Sequence, residues 1–199
     1  MSLVTLVSGG LDSTLMSLIA HEEGVALNPL FVDYGQLAST KEWEACQFLH
    51  NKHGLPKVTR MDLSGFGKII PSGITNSAMR INEDAFLPGR NLLLILCGAA
   101  HAYRVQAQGV AIGLLNPENH LFPDQTRDFL KQCEVLVESA MGRRISILAP
   151  LFQFSKRDIL DMTQDRGLRD TYSCHSGGDT ACGICVACME IATATKEGS

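Results

Sequence analysis

Apolar and polar positions alternate along this chain in blocks that are typical of strands followed by helices. The first apolar run, residues 3–7, ends at two glycines, and a helical stripe of apolar residues follows over positions 15–19. Further apolar runs of strand length, with helical patterns between them, lie at 30–32, 57–63, 109–115 and 145–149. This alternation predicts an α/β fold in which a parallel sheet of about five strands carries helices on both faces.

Polar residues at the predicted helix starts indicate where two of the helices begin. Ser39 is followed three positions later by Glu42, and we expect the pair to form a capping box. Ser155 and Asp158 have the same spacing and are expected to open the last helix, which should end at Gly167.

The remaining helices are predicted from their apolar content. The most apolar one spans 92–107 and is expected to stop at Gly109, and an amphipathic helix is predicted over 126–141. Residues 64–89 are rich in Gly, Ser, Asn and Pro and read as irregular, and a stretch of that length is usually functional or mobile.

Several polar loops follow predicted strands and should lie at one edge of the sheet. In parallel α/β folds, ligands bind beyond the carboxyl ends of the strands. We therefore expect one cleft to be formed by the segments 8–14, 33–34, 64–90 and 116–124.

The turn after the first strand has the features of a phosphate site. Adjacent glycines permit positive φ and a close approach of an anion, and the first amides of a helix are unpaired at its positive end. The alternative is a tight strand-to-helix turn without a ligand. The motif SGGLDST resembles the pyrophosphate loop of ATP pyrophosphatases, which implies ATP cleavage between the α and β phosphates. The expected nucleotide-binding residues are Val7, Ser8, Gly9, Gly10, Leu11, Asp12, Ser13, Thr14 and, after the second strand, Asp33.

Length and charge narrow the functional classes. With 199 residues the chain is expected to form mainly one domain, and a net charge of −4 with few aromatic residues argues against a nucleic-acid partner. No apolar run reaches the roughly 18 residues of a membrane span, and no signal-peptide pattern is present. We therefore expect a cytoplasmic protein without a membrane partner.

Four of the seven cysteines crowd together near the end of the chain. The spacing C-x7-C-x2-C-x2-C predicts a closed tetrahedral zinc site with a structural role. An iron–sulfur cluster, a catalytic thiol pair and unligated thiols are the alternatives, and His175 could compete as a ligand. We expect residues 1–170 to form the ATP-binding domain and residues 171–199 a metal-binding tail packed on it. The predicted ligands are Cys174, Cys182, Cys185 and Cys188.

Taken together, these motifs resemble the 7-cyano-7-deazaguanine synthases of queuosine biosynthesis over nearly the whole chain. The matching motifs are Ser8-Gly9-Gly10-Leu11-Asp12-Ser13-Thr14, Asp33-Tyr34-Gly35-Gln36, Pro88-Gly89-Arg90-Asn91, Pro123-Asp124, Pro150-Leu151 with Lys156, and the four terminal cysteines. The resemblance implies an adenine nucleotide alpha hydrolase-like fold. It also implies a ligase that uses ATP, Mg²⁺, a structural Zn²⁺ and ammonia to convert 7-carboxy-7-deazaguanine into the nitrile, and a homodimer.

The resemblance also suggests roles for single residues. Asp12, Arg90 and Lys156 are the expected catalytic residues. Asp12 would hold magnesium or cap its helix, Arg90 would contact phosphate or substrate carboxylate or lie on the surface, and Lys156 would contact phosphate or be solvated. Asp33 would face the nucleotide or merely end its strand. The expected substrate-binding residues are Tyr34, Gln36, Arg90, Asn91, Phe122 and Asp124, the last of which could instead cap the following helix.

Two segments depart from the family pattern. Leu37-Ala38 stand where the family usually has Arg-His, and the loop at 118–126 lacks the family's Ser-Gly pair, Cys and Arg. A related ligase that joins a deazaguanine or another acid to a different amine, including a protein amine, therefore stays open as an alternative. A nucleotide-binding module without turnover is a third possibility. A tRNA-thiolating enzyme would usually show a basic surface, which this acidic chain lacks.

Overall fold

The computed structural model describes residues 1–115 and 122–196. The strands are β1 (Ser2–Leu6), β2 (Ala26–Asp33), β3 (Thr59–Asp62), β4 (Gly109–Ala111) and β5 (Ser146–Leu148). The helices are α1 (Leu11–Glu22), α2 (Ser39–Lys52), α3 (Gly65–Ile69), α4 (Arg90–Val105), α5 (Arg127–Met141), α6 (Lys156–Asp165) and α7 (Val186–Lys196), and a 3₁₀ turn covers Pro123–Gln125.

The five strands form one parallel sheet in the order β3-β2-β1-β4-β5, which confirms the predicted fold class. β1 lies at the centre, where Leu3 pairs in register with Leu27 on one side and with Gly109 on the other. Because β1 is the central strand and is followed directly by the glycine turn, its carboxyl end places that turn in the middle of the sheet edge.

Apolar side chains of the central strands alternate between two cores. Val4 and Val110 pack with α4 and α5 on one face, whereas Leu3 and Ala111 pack with α1 and α6 on the other. The sheet is thus covered on both sides, as parallel sheets require. Among residues 1–115 and 122–196, no helix combines the length and apolar character needed to cross a lipid bilayer.

Helix α4 begins two residues before the predicted start and ends before the predicted stop. It ends at Val105, and Gln106 adopts a left-handed conformation with φ 59°. Gly109 does not stop the helix, because it is the first residue of β4. Gly98 lets this helix approach the sheet closely, since a Cβ there would lie 2.7 Å from Cγ1 of Val110.

Of the two predicted helix starts, only the one at Ser155 and Asp158 carries a capping box. Ser155 and Asp158 form theirs, with the Ser155 amide donating to Asp158 Oδ2 at 2.8 Å and the Asp158 amide donating to Ser155 Oγ at 3.2 Å. The box at Ser39 and Glu42 is wrong. Ser39 is the first residue of α2, its buried hydroxyl has no hydrogen-bond partner in the described part of the chain, and Glu42 instead accepts a hydrogen bond from Gln36.

Two helices were not predicted. The segment 64–89 contains the short helix α3, and the tail beyond the third cysteine forms α7. The rest of the segment 64–89 folds over a small apolar cluster built on Ile74, Ala85 and Leu87, which also contacts Phe122 and Val186. The segment therefore connects the sheet edge to the C-terminal tail.

Candidate functional site

A cavity of about 800 Å³ opens at the carboxyl ends of the strands. The glycine turn, the segment after β2, the start of α4 and the turn before α5 all contribute to its walls, so the predicted cleft is confirmed. The predicted site residues that line it are Val7, Ser8, Gly10, Leu11, Asp12, Ser13, Tyr34, Gln36, Arg90, Asn91, Phe122 and Lys156. Gly9, Thr14, Asp33 and Asp124 lie behind these residues. The part of the predicted substrate loop at 118–121 lies outside the described residues.

The hydroxyl groups of the turn stabilise its own backbone. The Ser8 amide donates to Ser13 Oγ at 3.1 Å, and the two serine hydroxyls lie 3.1 Å apart. Thr14 Oγ1 donates to the Gly10 carbonyl oxygen at 2.7 Å. These hydrogen bonds fix the backbone of the turn from within.

Gly9 is required by the packing of α2 against the turn. Its φ is +73°, and a Cβ at this position would lie 2.5 Å from the carbonyl oxygen of Glu42 and 2.6 Å from the amide nitrogen of Cys46. Both contacts are with backbone atoms of a helix, which cannot move aside as a side chain would. Glycine is therefore needed at this position for two reasons, the left-handed backbone conformation and the close contact with α2.

Asp12 and Lys156 form an ion pair across the cavity. Lys156 Nζ lies 2.8 Å from both carboxylate oxygens of Asp12 and 3.9 Å from Glu190 of α7. The Lys156 side chain is 13% exposed, so it is not the solvated lysine of the alternative interpretation. Asp12 does not cap α1 either, because the N-cap residue is Gly10 and no side chain bonds there.

Arg90, at the start of α4, and Tyr34, just after β2, lie next to each other in the cavity wall. Arg90 is the first residue of α4, and its Nε donates to Asn91 Oδ1 at 3.3 Å. Burial raises the pKa of Tyr34 to about 12, although the positive charge of Arg90 opposes this shift. Tyr34 is therefore a neutral hydrogen-bonding group, and Arg90 brings positive charge into the cavity.

Glu42 is a cavity residue that sequence patterns assigned to a helix cap. Its Oε2 accepts from Gln36 Nε2 at 2.9 Å, and Gln36 Oε1 accepts from the Tyr34 amide at 2.9 Å. Burial raises the pKa of Glu42 to about 7, against the opposing effects of the Gln36 hydrogen bond and the Arg90 charge. The sequence signal for its place in the cavity is that Glu42 follows Gln36 by only six positions.

Asp124 and Asn91 connect the start of α4 to the 3₁₀ turn. The Asn91 amide donates to Asp124 Oδ2 at 3.4 Å, and Asn91 Nδ2 donates to the Asp124 carbonyl oxygen at 3.1 Å. The alternative that Asp124 caps α5 is wrong, because Thr126 Oγ1 accepts from the Phe129 amide at 3.1 Å and supplies that cap.

Asp33 ends β2 in an ion pair behind the cavity wall. Its Oδ2 lies 2.7 Å from Arg60 Nη2, and its Oδ1 accepts from the Gly35 amide at 3.0 Å. The carboxylate therefore stabilises the turn that carries Tyr34 and Gln36. Its contact with a nucleotide stays a prediction.

The four predicted metal ligands come together in the tail. All four sulfur atoms lie within 4.8 Å of one another, and His175 is not a member of this set. The Cys182 amide donates to Cys174 Sγ at 3.3 Å. Burial raises the pKa of Cys174, but hydrogen bonds from Ser176 and Cys182 outweigh it and lower the value to about 6. Four converging thiolates suit a closed tetrahedral site.

The tail between β5 and the cysteines contacts the glycine turn directly. The Tyr172 amide donates to the Gly9 carbonyl oxygen at 2.9 Å, and the Leu11 amide donates to Ser173 Oγ at 3.3 Å. His175 lines the cavity with a buried Nδ1 that lacks a partner among the described residues. Burial, together with the charges of Arg90 and Lys156, lowers the pKa of His175 to about 4. Residues of α7, including Glu190, complete this wall.

The chain matches known proteins along its whole length. Residues 2–198 match the model of the family described as queuosine biosynthesis protein QueC. Proteins named 7-cyano-7-deazaguanine synthase share 29% identity over 197 residues in Campylobacter concisus (93% of this chain, 89% of that protein). The values are 30% over 200 residues in Desulfitobacterium hafniense (93% and 84%) and 28% over 205 residues in Methanothermobacter thermautotrophicus (95% and 91%).

Solved structures of low sequence identity share the fold. The U34-tRNA thiolase NcsA from Methanococcus maripaludis, solved with its [4Fe-4S] cluster, has a TM-score of 0.57 at 14% identity, covering 99% of this chain and 66% of the thiolase. A 4-thiouridine synthetase in complex with RNA and bound ATP has a TM-score of 0.56 at 15% identity, covering 98% and 50%. At such identities only the fold is shared, and the family assignment rests on the sequence match. The chain belongs to the family of queuosine biosynthesis proteins QueC.

Proposed function

We propose that this protein is a 7-cyano-7-deazaguanine synthase, an ATP-dependent carbon–nitrogen ligase. It would adenylate 7-carboxy-7-deazaguanine and use ammonia to form first the amide and then the nitrile. The observation that carries this proposal is that the SGGLDST turn, Arg90 and Lys156 line one cavity in a chain of the QueC family. We also propose that it works in a reducing, cytoplasmic environment, which suits its free cysteines.

The cavity has suitable size and charge for a nucleotide beside a heterocyclic acid. Its volume of about 800 Å³ falls in the range of small-molecule sites. The amino end of α1 faces it, and a helix N-terminus attracts phosphate through its amides and dipole. Arg90 and Lys156 add the two positive charges that a triphosphate needs from side chains.

Asp12 is the residue that would hold a magnesium ion. Magnesium bound to phosphates usually takes only one or two protein carboxylates, and when bound it neutralises phosphate charge. Both Asp12 oxygens are engaged by Lys156, so we propose that Lys156 moves to phosphate when the nucleotide arrives. Asp12 and Lys156 then act as a pair that exchanges partners.

The acid must be activated because its oxygen is a poor leaving group toward ammonia. Joining the carboxylate to AMP supplies a good leaving group, and the site then has to bring the acyl carbon beside the nitrogen. Arg90 would stabilise negative charge on the phosphate and acyl oxygens. Tyr34, Gln36, Asn91 and Phe122 would contact the deazaguanine ring, and Asp124 would act from behind them by positioning Asn91.

The cysteine tail would carry a structural zinc ion. Its four thiolates leave no open position for a substrate, so zinc there would supply folding energy and take no part in the reaction. The convergence of the four sulfur atoms and the amide-to-sulfur hydrogen bonds support a thiolate-bound metal.

The test is to incubate the protein with ATP and 7-carboxy-7-deazaguanine, with and without ammonia, and to weigh the products. We expect AMP and pyrophosphate that depend on the acid, and a nitrile that depends on ammonia. A conjugate with another amine would favour the divergent ligase, and acid-independent binding without AMP release would favour a binding module.

The Asp12→Ala variant should abolish AMP release without unfolding the protein. Asp128→Ala is the matched control, because Asp128 is also the second residue of a helix but lies on the surface away from the cavity. Unchanged turnover in Asp12→Ala would remove Asp12 from the site.

A further inference from the structure

Glu42 presents an unused carboxylate oxygen to the cavity. Its Oε2 is engaged by Gln36, and among the described residues no hydrogen bond is made to Oε1. Glu42 lies in the first turn of α2, whose backbone packs on Gly9, and it lines the same cavity as the glycine turn. An acidic side chain is an unfavourable neighbour for a triphosphate unless it serves the reaction.

Amide formation from an acyl adenylate needs a proton acceptor. Near neutral pH ammonia is present mostly as ammonium, whose nitrogen has no lone pair to attack with. A carboxylate beside the acyl carbon would both attract the ammonium cation and remove its proton. The base must lie close to the phosphate turn, because the acyl group is attached to the α-phosphate.

We propose that Glu42 is the general base that deprotonates ammonium for attack on the adenylated acid. This inference rests on the proposed function, since it requires an acyl adenylate in the cavity. Oε1 takes one proton from ammonium, the freed nitrogen lone pair forms the C–N bond, and the bond between the acyl carbon and the AMP oxygen breaks. The second proton leaves the nitrogen to solvent, and the products are the amide, AMP and protons.

The charges around Glu42 set its protonation over the reaction. The groups that face it are Asp33 and Tyr34 after β2, Arg90 on α4, Cys46 on its own helix and Tyr172 in the tail. Its pKa of about 7 lies near working pH, where a general base is most effective. Bound triphosphate would keep it protonated, and loss of pyrophosphate removes negative charge and favours the ionised, basic form.

Other acidic groups of the described cavity are less suited to this role. Asp12 has both oxygens engaged by Lys156, and Glu190 lies 3.9 Å from the same ammonium group. Tyr34 and Tyr172 have pKa values of about 12 and stay protonated. Glu42 combines a carboxylate oxygen without a hydrogen bond among the described residues, a place in the wall of the cavity that the glycine turn also lines, and a suitable pKa.

The decisive experiment compares two nucleophiles on Glu42→Gln. Hydroxylamine is largely uncharged near neutral pH and attacks acyl adenylates without a base, whereas ammonium must first lose a proton. We expect Glu42→Gln to form the hydroxamate within about twofold of the unmodified protein. Amide formation from ammonium should fall by about 10²-fold or more. This deficit should shrink as the pH rises and free ammonia accumulates.

Glu44→Gln is the matched control, because Glu44 lies on the same helix and is exposed to solvent. It should leave both products unchanged. The proposal is overturned if Glu42→Gln loses hydroxamate and amide equally, if it loses neither, or if Glu190→Gln alone shows the split between nucleophiles. If the unmodified protein makes neither product, the proposed function itself fails, so the two failures are distinguishable.

Thermal unfolding checks that Glu42→Gln folds and that Glu42 has the raised pKa. In the folded protein Glu42 keeps its proton up to about pH 7, whereas in the unfolded chain it loses it near its ordinary value of 4.5. Between these values the unfolded state binds fewer protons, so this group makes stability fall as pH rises. Glu42→Gln should lack that fall and be at least as stable above pH 7; a less stable variant there would contradict the assigned ionisation.

Discussion

The glycine turn and the cysteine tail are neighbouring parts of one cavity wall but are built in different ways. The turn at 8–14 is determined by hydrogen bonds among its own hydroxyls and by a helix that packs on Gly9. In the described tail, residues 171–196, the buried apolar positions are limited to Cys174, Cys185 and Ala194. The turn is therefore held by the chain's own contacts, whereas the tail has so small an apolar core that we expect a metal ion on the four cysteines to stabilise it.

This difference matters because the cysteine tail is hydrogen-bonded to the glycine turn. Tyr172 and Ser173 hydrogen-bond to the backbone of Gly9 and Leu11, only a few residues before the first metal ligand. A structural ion in the tail would thus support the phosphate turn at a distance, without contributing to the chemistry.

Removing a metal ligand should have the largest effect on this comparison. Cys185 is completely buried, and we expect Cys185→Ser to lose one equivalent of zinc and the folded tail, while the sheet domain stays folded. Structural zinc contributes on the order of 10 kcal/mol in small zinc peptides. Elemental analysis and limited proteolysis measure the two losses.

Cys133→Ala is the control for metal content, because Cys133 is a buried thiol of the main core. It should retain full zinc. If the purified protein contains iron and labile sulfide, the four cysteines hold an iron–sulfur cluster and not zinc. A normal zinc content in Cys185→Ser would contradict the four-thiolate site.

A methyl group at Gly9 should have the next largest effect, because it disrupts the packing of α2 against the glycine turn. Gly9→Ala combines a left-handed backbone with clashes at 2.5 and 2.6 Å, and we expect a loss of about 3 kcal/mol or more in the free energy of unfolding. Urea unfolding provides the measurement.

Gly24→Ala is the matched control for this substitution. Gly24 has the same φ of +73°, but a Cβ there meets nothing within 4 Å. It should cost only the backbone strain of about 1 kcal/mol. Equal losses in the two variants would show that packing of α2 on the turn is unimportant.

The same contrast explains which features the sequence predicted. The strands, the glycine turn and the cysteine cluster each depend on residues close together in the chain, and the cleft follows from the rule that ligands bind beyond the carboxyl ends of parallel strands; all four appear in the structure. The contact between Ser173 and Leu11 joins residues 162 positions apart, and local patterns carry no signal for it.

Local patterns also misled where two side chains could serve one purpose. Ser39 and Glu42 have capping-box spacing, but α2 begins without that box, and Glu42 points to Gln36 at the cavity. Similarly, Asp124 and Thr126 both precede α5, and Thr126 is the cap. The pattern gives candidate hydrogen bonds, and the tertiary packing decides which of them form.

The smallest expected effect tests whether the turn and the tail are coupled. Ser173→Ala removes the acceptor of the Leu11 amide, which should lower the free energy of unfolding by about 1 kcal/mol. Metal removal should also displace Ser173 and break the same hydrogen bond. A chelator should therefore lower the free energy of unfolding of Ser173→Ala by about 1 kcal/mol less than it lowers that of the unmodified protein. Urea unfolding with and without chelator gives the coupling. The exposed Ser77→Ala serves as control, and strictly additive losses would mean that the tail and the turn are only neighbours.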